Sequence, residues 1–238
     1  MKNLRRNLKI VLFFLLVQQS NSLFSSPNFL KKIKKGNSGL HTAIEESNKK
    51  DDMYIVWNYK NIDADLKKFN REGETPLILA VRLNDLAIVK FLIDKKGADV
   101  NQTNKRKDLS VLIGAIINEN DDMIRLLIDR GADIYFISEN YDQTPLQYAV
   151  MFKNIDAIKM ILEELKKADY TKRKEYLNVR NFRDKTASDL MEIFTKDRSA
   201  FQGLLDDCLN PNFNPDGSWT FDEDGNVVSG ECVYGVRQ

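Results

Sequence analysis

Length, composition and charge exclude several classes of protein before any motif is considered. The chain has 238 residues, 42% hydrophobic and 30% charged, which suits one or two folded domains rather than a disordered chain. Its 36 basic and 35 acidic residues lack the basic excess of a nucleic-acid-binding domain. Two Cys and one His cannot supply the four ligands of a Cys/His zinc site, and a His-dependent enzyme would have to use His41. Composition therefore favours binding over catalysis, with no metal or cofactor.

The N-terminus has the layout of a secretory signal peptide over residues 1–22. A basic stretch at 2–9 precedes eight consecutive apolar residues at 10–17 and a small-x-small cleavage site at 20–22. A transmembrane anchor is the alternative, but a span needs about 20 apolar residues. Cleavage would leave 32 basic and 35 acidic residues, a net charge of −3. The sequence therefore predicts an exported protein, periplasmic or secreted, without membrane association after cleavage.

The body of the chain repeats itself with a period of 34 to 35 residues. The triplet that begins at Thr75 (Thr-Pro-Leu) recurs at Thr144, and Ser110 opens a weaker copy between them, so that the spacings are 35 and 34. A second motif, Gly-Ala-Asp, occurs at 97–99 and again at 131–133, 34 residues later. Two independent motifs with one period predict stacked structural repeats.

These motifs resemble the ankyrin repeat, which opens with T-P-L-H-x-A and closes with G-A-D-V-N. Divergent copies begin at Leu40 and at Lys185, so the resemblance covers residues 39–209. It implies an all-α ankyrin-repeat solenoid of about five helix-turn-helix repeats, with short turns projecting to one side. Residues 23–38 are then an N-terminal linker, and residues 210–238 form a C-terminal tail.

The motif residues have local roles in this fold. Thr75 and Thr144 are expected to cap the first helix of a repeat, with proline at the first helical position. Gly97 and Gly131 are expected to end the second helix in the left-handed conformation. His41, in the Leu-His position of the opening motif, is expected to be structural at a helix terminus rather than a general base.

Three departures from the family pattern carry expectations. The His of the opening motif is replaced by Ile78, Ile113 and Gln147, which predicts that its hydrogen bonds are missing there. The Gly between the two helices is replaced by Asn84, Glu119 and Lys153; Glu and Lys adopt a left-handed backbone less readily than Asn. About eight residues are inserted within 163–177, which we interpret as a solvated loop. The alternative is a basic contact for an acidic partner.

The tail differs in kind from the repeats. Residues 218–221 and 226–229 flank an Asp-Gly turn, a pattern typical of a short β-hairpin. Residues 212–223 partly match a calcium-binding EF-hand loop, but Asn212 replaces the first Asp and no helix pattern follows, so we predict no metal. Cys208 and Cys232 could form a disulfide in an oxidising compartment; two free thiols are the alternative.

The family resemblance implies a non-enzymatic module that binds another protein, of unknown identity, after export, such as a bacterial secreted or host-directed ankyrin protein. One alternative is a periplasmic assembly or protective factor for an enzyme. Another is an enzyme whose site lies in the tail. A monomer without nucleic-acid partners is expected.

The resemblance also implies which residues bind the partner, because projecting turns and the exposed face of the first helices vary freely in such a fold. The turn positions are Arg71, Glu72, Glu74, Lys105, Arg106, Lys107, Tyr141 and Gln143. The helix positions are Arg82, Leu83, Ile117, Asn118, Met151 and Phe152. The apolar members of the second set are expected to align into one stripe, unless neighbouring loops or the N-terminal segment cover them. Phe152→Ser and Arg82→Glu are then expected to weaken binding while thermal unfolding changes little.

Overall fold

The structure, a computed structural model, describes residues 37–194, 203–206 and 208. These residues form α-helices joined by turns, with no β-strand among them apart from an isolated bridge between Thr103 and Ser110. The all-α prediction is confirmed for this part of the chain. The predicted signal peptide, the hairpin and the EF-hand-like pattern lie outside the described residues and stay predictions. No helix within the described ranges is long and apolar enough to cross a membrane.

The chain divides into two compact units, Met1–Asn120 and Asp121–Gln238. The described helices of the first unit are α1 (Gly39–Lys50), α2 (Tyr54–Trp57), α3 (Ile62–Asp65), α4 (Pro76–Arg82), α5 (Leu86–Asp94) and α6 (Val111–Ile117). Those of the second unit are α7 (Asp121–Asp129), α8 (Pro145–Met151), α9 (Ile155–Leu165), α10 (Tyr170–Leu177) and α11 (Ala187–Phe194). Residues 203–206 and 208 are also helical.

The first helix of each clear repeat begins at a hydroxyl-bearing residue. The backbone N–H three residues later donates to Thr75 Oγ1 at 3.4 Å, to Ser110 Oγ at 3.2 Å and to Thr144 Oγ1 at 3.3 Å. Proline occupies the first turn of α4 and of α8, where its missing N–H leaves no helical hydrogen bond unmade. The predicted caps at Thr75 and Thr144 are therefore confirmed.

The apolar face that each first helix presents fixes the core. In the first unit, α4 packs against α1, α5 and α6, and its Leu77 and Ala80 are fully buried. In the second unit, α8 packs against α9 and α11, with Ala149 fully buried. Each buried Leu contributes about 1.5–3 kcal/mol, so a helix of only seven residues is stabilised mainly by its neighbours.

Left-handed residues end the helices. Gly97 and Gly131, with φ of 65° and 82°, follow α5 and α7 as predicted. Asn84, Glu119 and Lys153 adopt φ of 61°, 54° and 55° at the positions between the two helices. The replaced glycines thus keep the left-handed backbone although the new residues have a Cβ, which is a source of strain.

The insertion within 163–177 is helical, and the prediction of a solvated loop is wrong. Helix α10 begins after Asp169, whose Oδ1 accepts from the Lys172 N–H at 2.9 Å. It buries Tyr176, to whose hydroxyl the Leu146 N–H donates at 3.4 Å. The buried Tyr176 and the Asp169 cap therefore hold this polar segment in place as a packed helix.

The cations of the same insertion differ in their surroundings. Arg173 is only 1% exposed, and Lys166 and Lys167 lie 2.9 and 2.6 Å from the carboxylates of Glu163 and Glu164. Lys172 and Lys174 are exposed, so the alternative of a basic contact for an acidic partner stays a prediction.

Gln147 corrects the expectation that the opening motif has lost its hydrogen bonds. Its Oε1 accepts from the Thr144 N–H at 3.0 Å, and its Nε2 donates to the carbonyls of Val179 at 2.8 Å and Lys185 at 3.1 Å. A glutamine here ties the start of α8 to a later turn of the same unit. Ile78 and Ile113, in the corresponding positions, are buried apolar side chains that make no such bonds.

Candidate functional site

In the part of the chain that the structure describes, four short turns precede first helices, and we call them fingers. Each is closed by a backbone hydrogen bond of 2.9 to 3.0 Å between its first N–H and its last carbonyl. Each also contains one left-handed residue, respectively Gly73, Lys107, Asp142 and Asp184. The first (70–74) and second (104–109) fingers belong to the first unit, and the third (138–143) and fourth (181–185) belong to the second. The four fingers thus share a closing hydrogen bond and a single left-handed residue.

Most of the surface residues predicted from the sequence are accessible. Five are exposed, namely Arg71, Glu72, Lys105, Arg106 and Lys107. Six are partly exposed, namely Arg82, Leu83, Ile117, Tyr141, Met151 and Phe152. Three are buried, with exposed fractions of 7% for Glu74, 8% for Asn118 and 3% for Gln143. The expectation of a free surface position is therefore wrong for these three.

Hydrogen bonds within the protein explain the burial of Asn118 and Gln143. Asn118 Nδ2 donates to the carbonyl of Val81 in the same unit. Gln143 Nε2 donates to Met151 Sδ at 3.0 Å, and its N–H donates to Ser138 Oγ at 3.1 Å. Asn118 thus connects the ends of α4 and α6, whereas Gln143 stabilises the third finger.

Glu74 is buried because it pairs with Arg82. Arg82 Nε and Nη2 donate to the two carboxylate oxygens of Glu74 at 2.7 and 2.9 Å, and Nη2 also donates to Glu72 at 3.2 Å. Burial alone would raise the pKa of Glu74, but the charge and hydrogen bonds of Arg82 outweigh burial and lower it. Arg82 therefore pairs with the carboxylates of the first finger, and its role is largely structural.

His41 supports the same finger from α1. The ring is fully buried, with Nε2 2.9 Å from the Glu74 carbonyl and Nδ1 2.8 Å from Ser38 Oγ. Because the carbonyl can only accept, Nε2 carries the proton and Nδ1 accepts from the serine hydroxyl. Burial lowers the pKa of His41 despite the nearby carboxylate of Glu74. This geometry fits the predicted structural role at a helix terminus.

The second finger carries exposed cations on a turn that hydrogen bonds hold in place. Asn104 Oδ1 accepts from the N–H groups of Asp108 and Leu109 at 3.0 and 3.2 Å. The Lys105 N–H donates to the Gly73 carbonyl at 2.7 Å, which joins the second finger to the first. The exposed side chains at 105–107 therefore start from a fixed backbone close to the first finger.

The third and fourth fingers carry an exposed aromatic pair. Tyr141 and Phe182 meet edge to face with ring centroids 5.9 Å apart, and the Phe182 N–H donates to the Tyr141 carbonyl at 3.1 Å. Phe182 is 51% exposed, and the Arg183 guanidinium lies 5.1 Å from its ring centroid. We call Tyr141, Phe182 and Arg183 the aromatic finger pair with its arginine.

The sequence prediction contained Tyr141 but missed Phe182 and Arg183. Position within the repeat could have identified Phe182. It stands four residues before Thr186, as Arg106 stands four residues before Ser110. The insertion within 163–177 lengthens the repeat that precedes this finger, and the sequence prediction of surface residues did not extend to the divergent copy that begins at Lys185.

The predicted apolar positions lie at the ends of first helices. In the first unit, Leu83 follows α4 and Ile117 ends α6; in the second unit, Met151 ends α8 and Phe152 follows it. All four side chains are partly exposed. Their alignment into a single stripe stays a prediction.

A second exposed aromatic cluster lies on α2, in the first unit. Tyr54 and Trp57 on α2 are 66% and 52% exposed. Trp57 also contacts Phe91 of α5, with ring centroids 6.1 Å apart. This cluster belongs to the second helices of the repeats and was not predicted from the sequence.

An open cleft in the first unit, about 580 Å³ in volume, is lined by the carboxylate of Asp65, whose contacts are all within the protein. Asp65 accepts from the Tyr59 hydroxyl at 2.6 Å and the Leu40 N–H at 3.2 Å, and Lys68 Nζ lies 2.7 Å away. Burial opposes these contacts, but together they lower the pKa of Asp65 to about 2. Among the described residues, no group of three His, Cys, Asp or Glu side chains is placed to hold a metal ion.

Cys208 is buried, with Sγ 4.0 Å from the Leu162 carbonyl. Cys232 lies outside the described residues, so the disulfide between them stays a prediction.

Comparison with known families agrees with the repeat geometry. No curated protein matches this sequence. The family model for ankyrin repeats (3 copies) matches residues 4–104 and 99–174, which is well over half of the chain. Ankyrin repeats are typically non-enzymatic and bind other proteins. With capped first helices, left-handed helix ends and four fingers in one register, the chain belongs to the ankyrin repeat family.

Proposed function

We propose that this protein is a binding module that acts after export and recognises another protein through its fingers and the adjoining ends of its first helices. The observation that carries the proposal is the aromatic finger pair with its arginine. Large aromatic side chains and Arg are the residue types that dominate the binding energy of protein interfaces. A half-exposed Phe beside an Arg fits that role.

The rigidity of the fingers also supports the proposal. The Phe182 N–H donates to the Tyr141 carbonyl, and the Ser138 N–H and Gln143 carbonyl close the third finger at 3.0 Å. Side chains held on a fixed backbone lose less conformational freedom when a partner binds. The partner of this module is therefore expected to meet a preformed surface.

Export is the second part of the proposal, and it rests on the basic and apolar pattern of residues 1–22. A fusion of residues 1–30 to a reporter that is active only outside the cytoplasm is expected to be active. Retention of the reporter in the cytoplasm would reject export and leave the binding function unaffected.

Affinity capture with matched variants tests the binding surface. The purified protein and its Phe182→Ser and Ile155→Ser variants are immobilised, and the proteins that they capture are identified. Each captured protein is then titrated directly against the unaltered protein and both variants. Ile155 is the control because it is 44% exposed in the same unit but lies at the start of α9. Phe182→Ser is expected to weaken binding by about 1–4 kcal/mol, and Ile155→Ser by less than about 0.5 kcal/mol.

Both substitutions replace exposed side chains, so thermal unfolding should change little, which separates binding from folding. Equal affinities for the Phe182→Ser variant and the unaltered protein would reject the finger surface. A loss of binding in a Trp57→Ser variant instead would place the interface on the second helices of the first unit.

A further inference from the structure

The first two fingers concentrate positive charge at one place in the first unit. Arg71, Lys105, Arg106 and Lys107 are all exposed. The hydrogen bond from the Lys105 N–H to the Gly73 carbonyl, 2.7 Å long, holds the two fingers together. An added Cβ on Gly73 would lie 3.0 Å from the Lys105 Cβ, which shows how closely the two turns approach. Cations from two separate repeats are therefore neighbours.

Three acidic side chains of the same fingers contact groups at the finger bases. Glu74 and Glu72 accept hydrogen bonds from Arg82, and the Asp108 carboxylate accepts from Asn104 Nδ2. Lys105 and Arg106, at the tip of the second finger, are exposed.

The turn that carries the second finger is preorganised. Besides the Asn104 bonds, the Lys107 N–H donates to the Asn104 carbonyl at 2.9 Å, and Lys107 itself adopts a left-handed φ of 53°. A chain held in this way projects three consecutive basic side chains without a further cost of ordering its backbone.

We propose that the partner of this module presents an acidic protein segment, rich in Asp and Glu, to these basic finger tips. The inference rests on the proposed function and adds the chemistry of the partner. Complementary charge accelerates association and excludes partners of like charge. A nucleic acid is a different class of ligand, and the near-neutral net charge of the chain, +1, disfavours it because phosphate binding requires a broadly basic domain.

A peptide-selection experiment with charge-matched variants tests this inference. A random peptide library displayed on phage is panned against the purified full-length protein, and the most enriched peptide is synthesised and titrated. The finger variant is Lys105→Gln/Arg106→Gln. The control is Lys90→Gln/Lys95→Gln, which removes the same charge from exposed residues at α5 and its C-terminal end in the same unit.

We expect the enriched peptides to be rich in Asp and Glu. The finger variant is expected to bind about tenfold more weakly, mainly through a slower association rate, and the control to change less than about twofold. Rising salt concentration should weaken binding to the unaltered protein and narrow the difference between the two variants. Thermal unfolding of both variants checks that each is folded.

Three outcomes would overturn the inference: enriched peptides without an acidic excess, a finger variant that binds like the control, or no enrichment at all. Tighter, finger-dependent binding of a single-stranded oligonucleotide probe would replace the acidic protein segment with a nucleic acid. Peptides of neutral charge that are lost in a Phe182→Ser variant would overturn this inference alone and leave the proposed function standing.

Discussion

Single residues in the first finger connect charge to stability. Arg82 makes two hydrogen bonds with the carboxylate of Glu74, which is 7% exposed, so removing the arginine would leave a buried negative charge without its cation. Breaking a buried pair from one side is costly, whereas removing both partners is often tolerated. From their sequence positions alone, Arg82 and Glu74 were both predicted to be surface residues that are free to vary.

We expect Arg82→Met to lower the free energy of unfolding by about 1–3 kcal/mol, below the full cost of a deeply buried pair because Arg82 is itself partly exposed. Urea unfolding measures this change. The double variant Glu74→Gln/Arg82→Met should be less destabilised than Arg82→Met alone. If Arg82→Met is as stable as the control Lys90→Met, the pair is not structural and Arg82 returns to the binding surface.

His41 makes stability depend on pH. Burial lowers its pKa in the folded state, so the unfolded chain binds more protons over the interval between that value and the ordinary pKa near 6.5. Stability should therefore be full above about pH 7 and fall as the pH drops through 6.5 towards the folded pKa. Gln147 shows that glutamine can serve at the corresponding position in another repeat.

The measurement is urea unfolding of the unaltered protein and of His41→Gln between pH 7.5 and 5. We expect the difference in unfolding free energy between the two proteins to shift with pH in favour of His41→Gln on acidification. Glu72 has a pKa raised by burial and by the charge of Glu74 and acts with the opposite sign, but it is present in both proteins. Parallel pH curves would contradict the assignment of this dependence to His41.

At the scale of helices and turns, left-handed non-glycine residues between the first and second helices are one source of strain. Lys153 follows α8 with φ of 55°, and its N–H donates to the Val150 carbonyl at 3.0 Å. A non-glycine residue in this conformation costs about 1–2 kcal/mol. The family pattern places Gly here, and the chain has kept the conformation while losing the residue best suited to it.

Lys153→Gly is therefore expected to raise the free energy of unfolding by about 0.5–1 kcal/mol, because relief of strain exceeds the entropy that glycine adds to the unfolded chain. The reverse change at Gly97, with φ of 65° and open space around an added Cβ, should lower it by about 1 kcal/mol. Lys159→Gly within α9 is the control and should also destabilise, by about 1 kcal/mol. A loss of stability in Lys153→Gly would show that no strain is stored there.

The sequence predicted the elements whose signals are local. Thr75 and Thr144 with their prolines located two helix starts, and Gly97 located a helix end, because caps and left-handed turns depend on a few adjacent residues. The sequence did not predict α10, whose position depends on burying Tyr176, the hydroxyl of which accepts from the Leu146 N–H of α8, 30 residues away. Nor did it predict that Gln147 would bridge to Val179 and Lys185, 32 and 38 residues away.

At the scale of the molecule, the family and the repeating unit were predictable, whereas the candidate surface was only partly so. Periodicity identifies which positions project but not which of them turn inward. Glu74 and Gln143 project from fingers in the sequence pattern, yet Arg82 and Met151 provide partners that bury them. Phe182, the more exposed ring of the aromatic finger pair, was missed because the surface prediction was made only for the clear repeats.

The central claim is that the fingers, and not the second helices, contact the partner. Hydroxyl-radical footprinting with mass spectrometry tests it directly, because the exposed aromatic side chains of the two regions are oxidised readily and can be compared within one experiment. Phe182 is 51% exposed in the fingers, whereas Tyr54 and Trp57 are 66% and 52% exposed on α2. With a captured partner bound, the account predicts that oxidation of Tyr141 and Phe182 falls while that of Tyr54 and Trp57 is unchanged. Protection of Tyr54 and Trp57 with unaltered oxidation of Phe182 would contradict it.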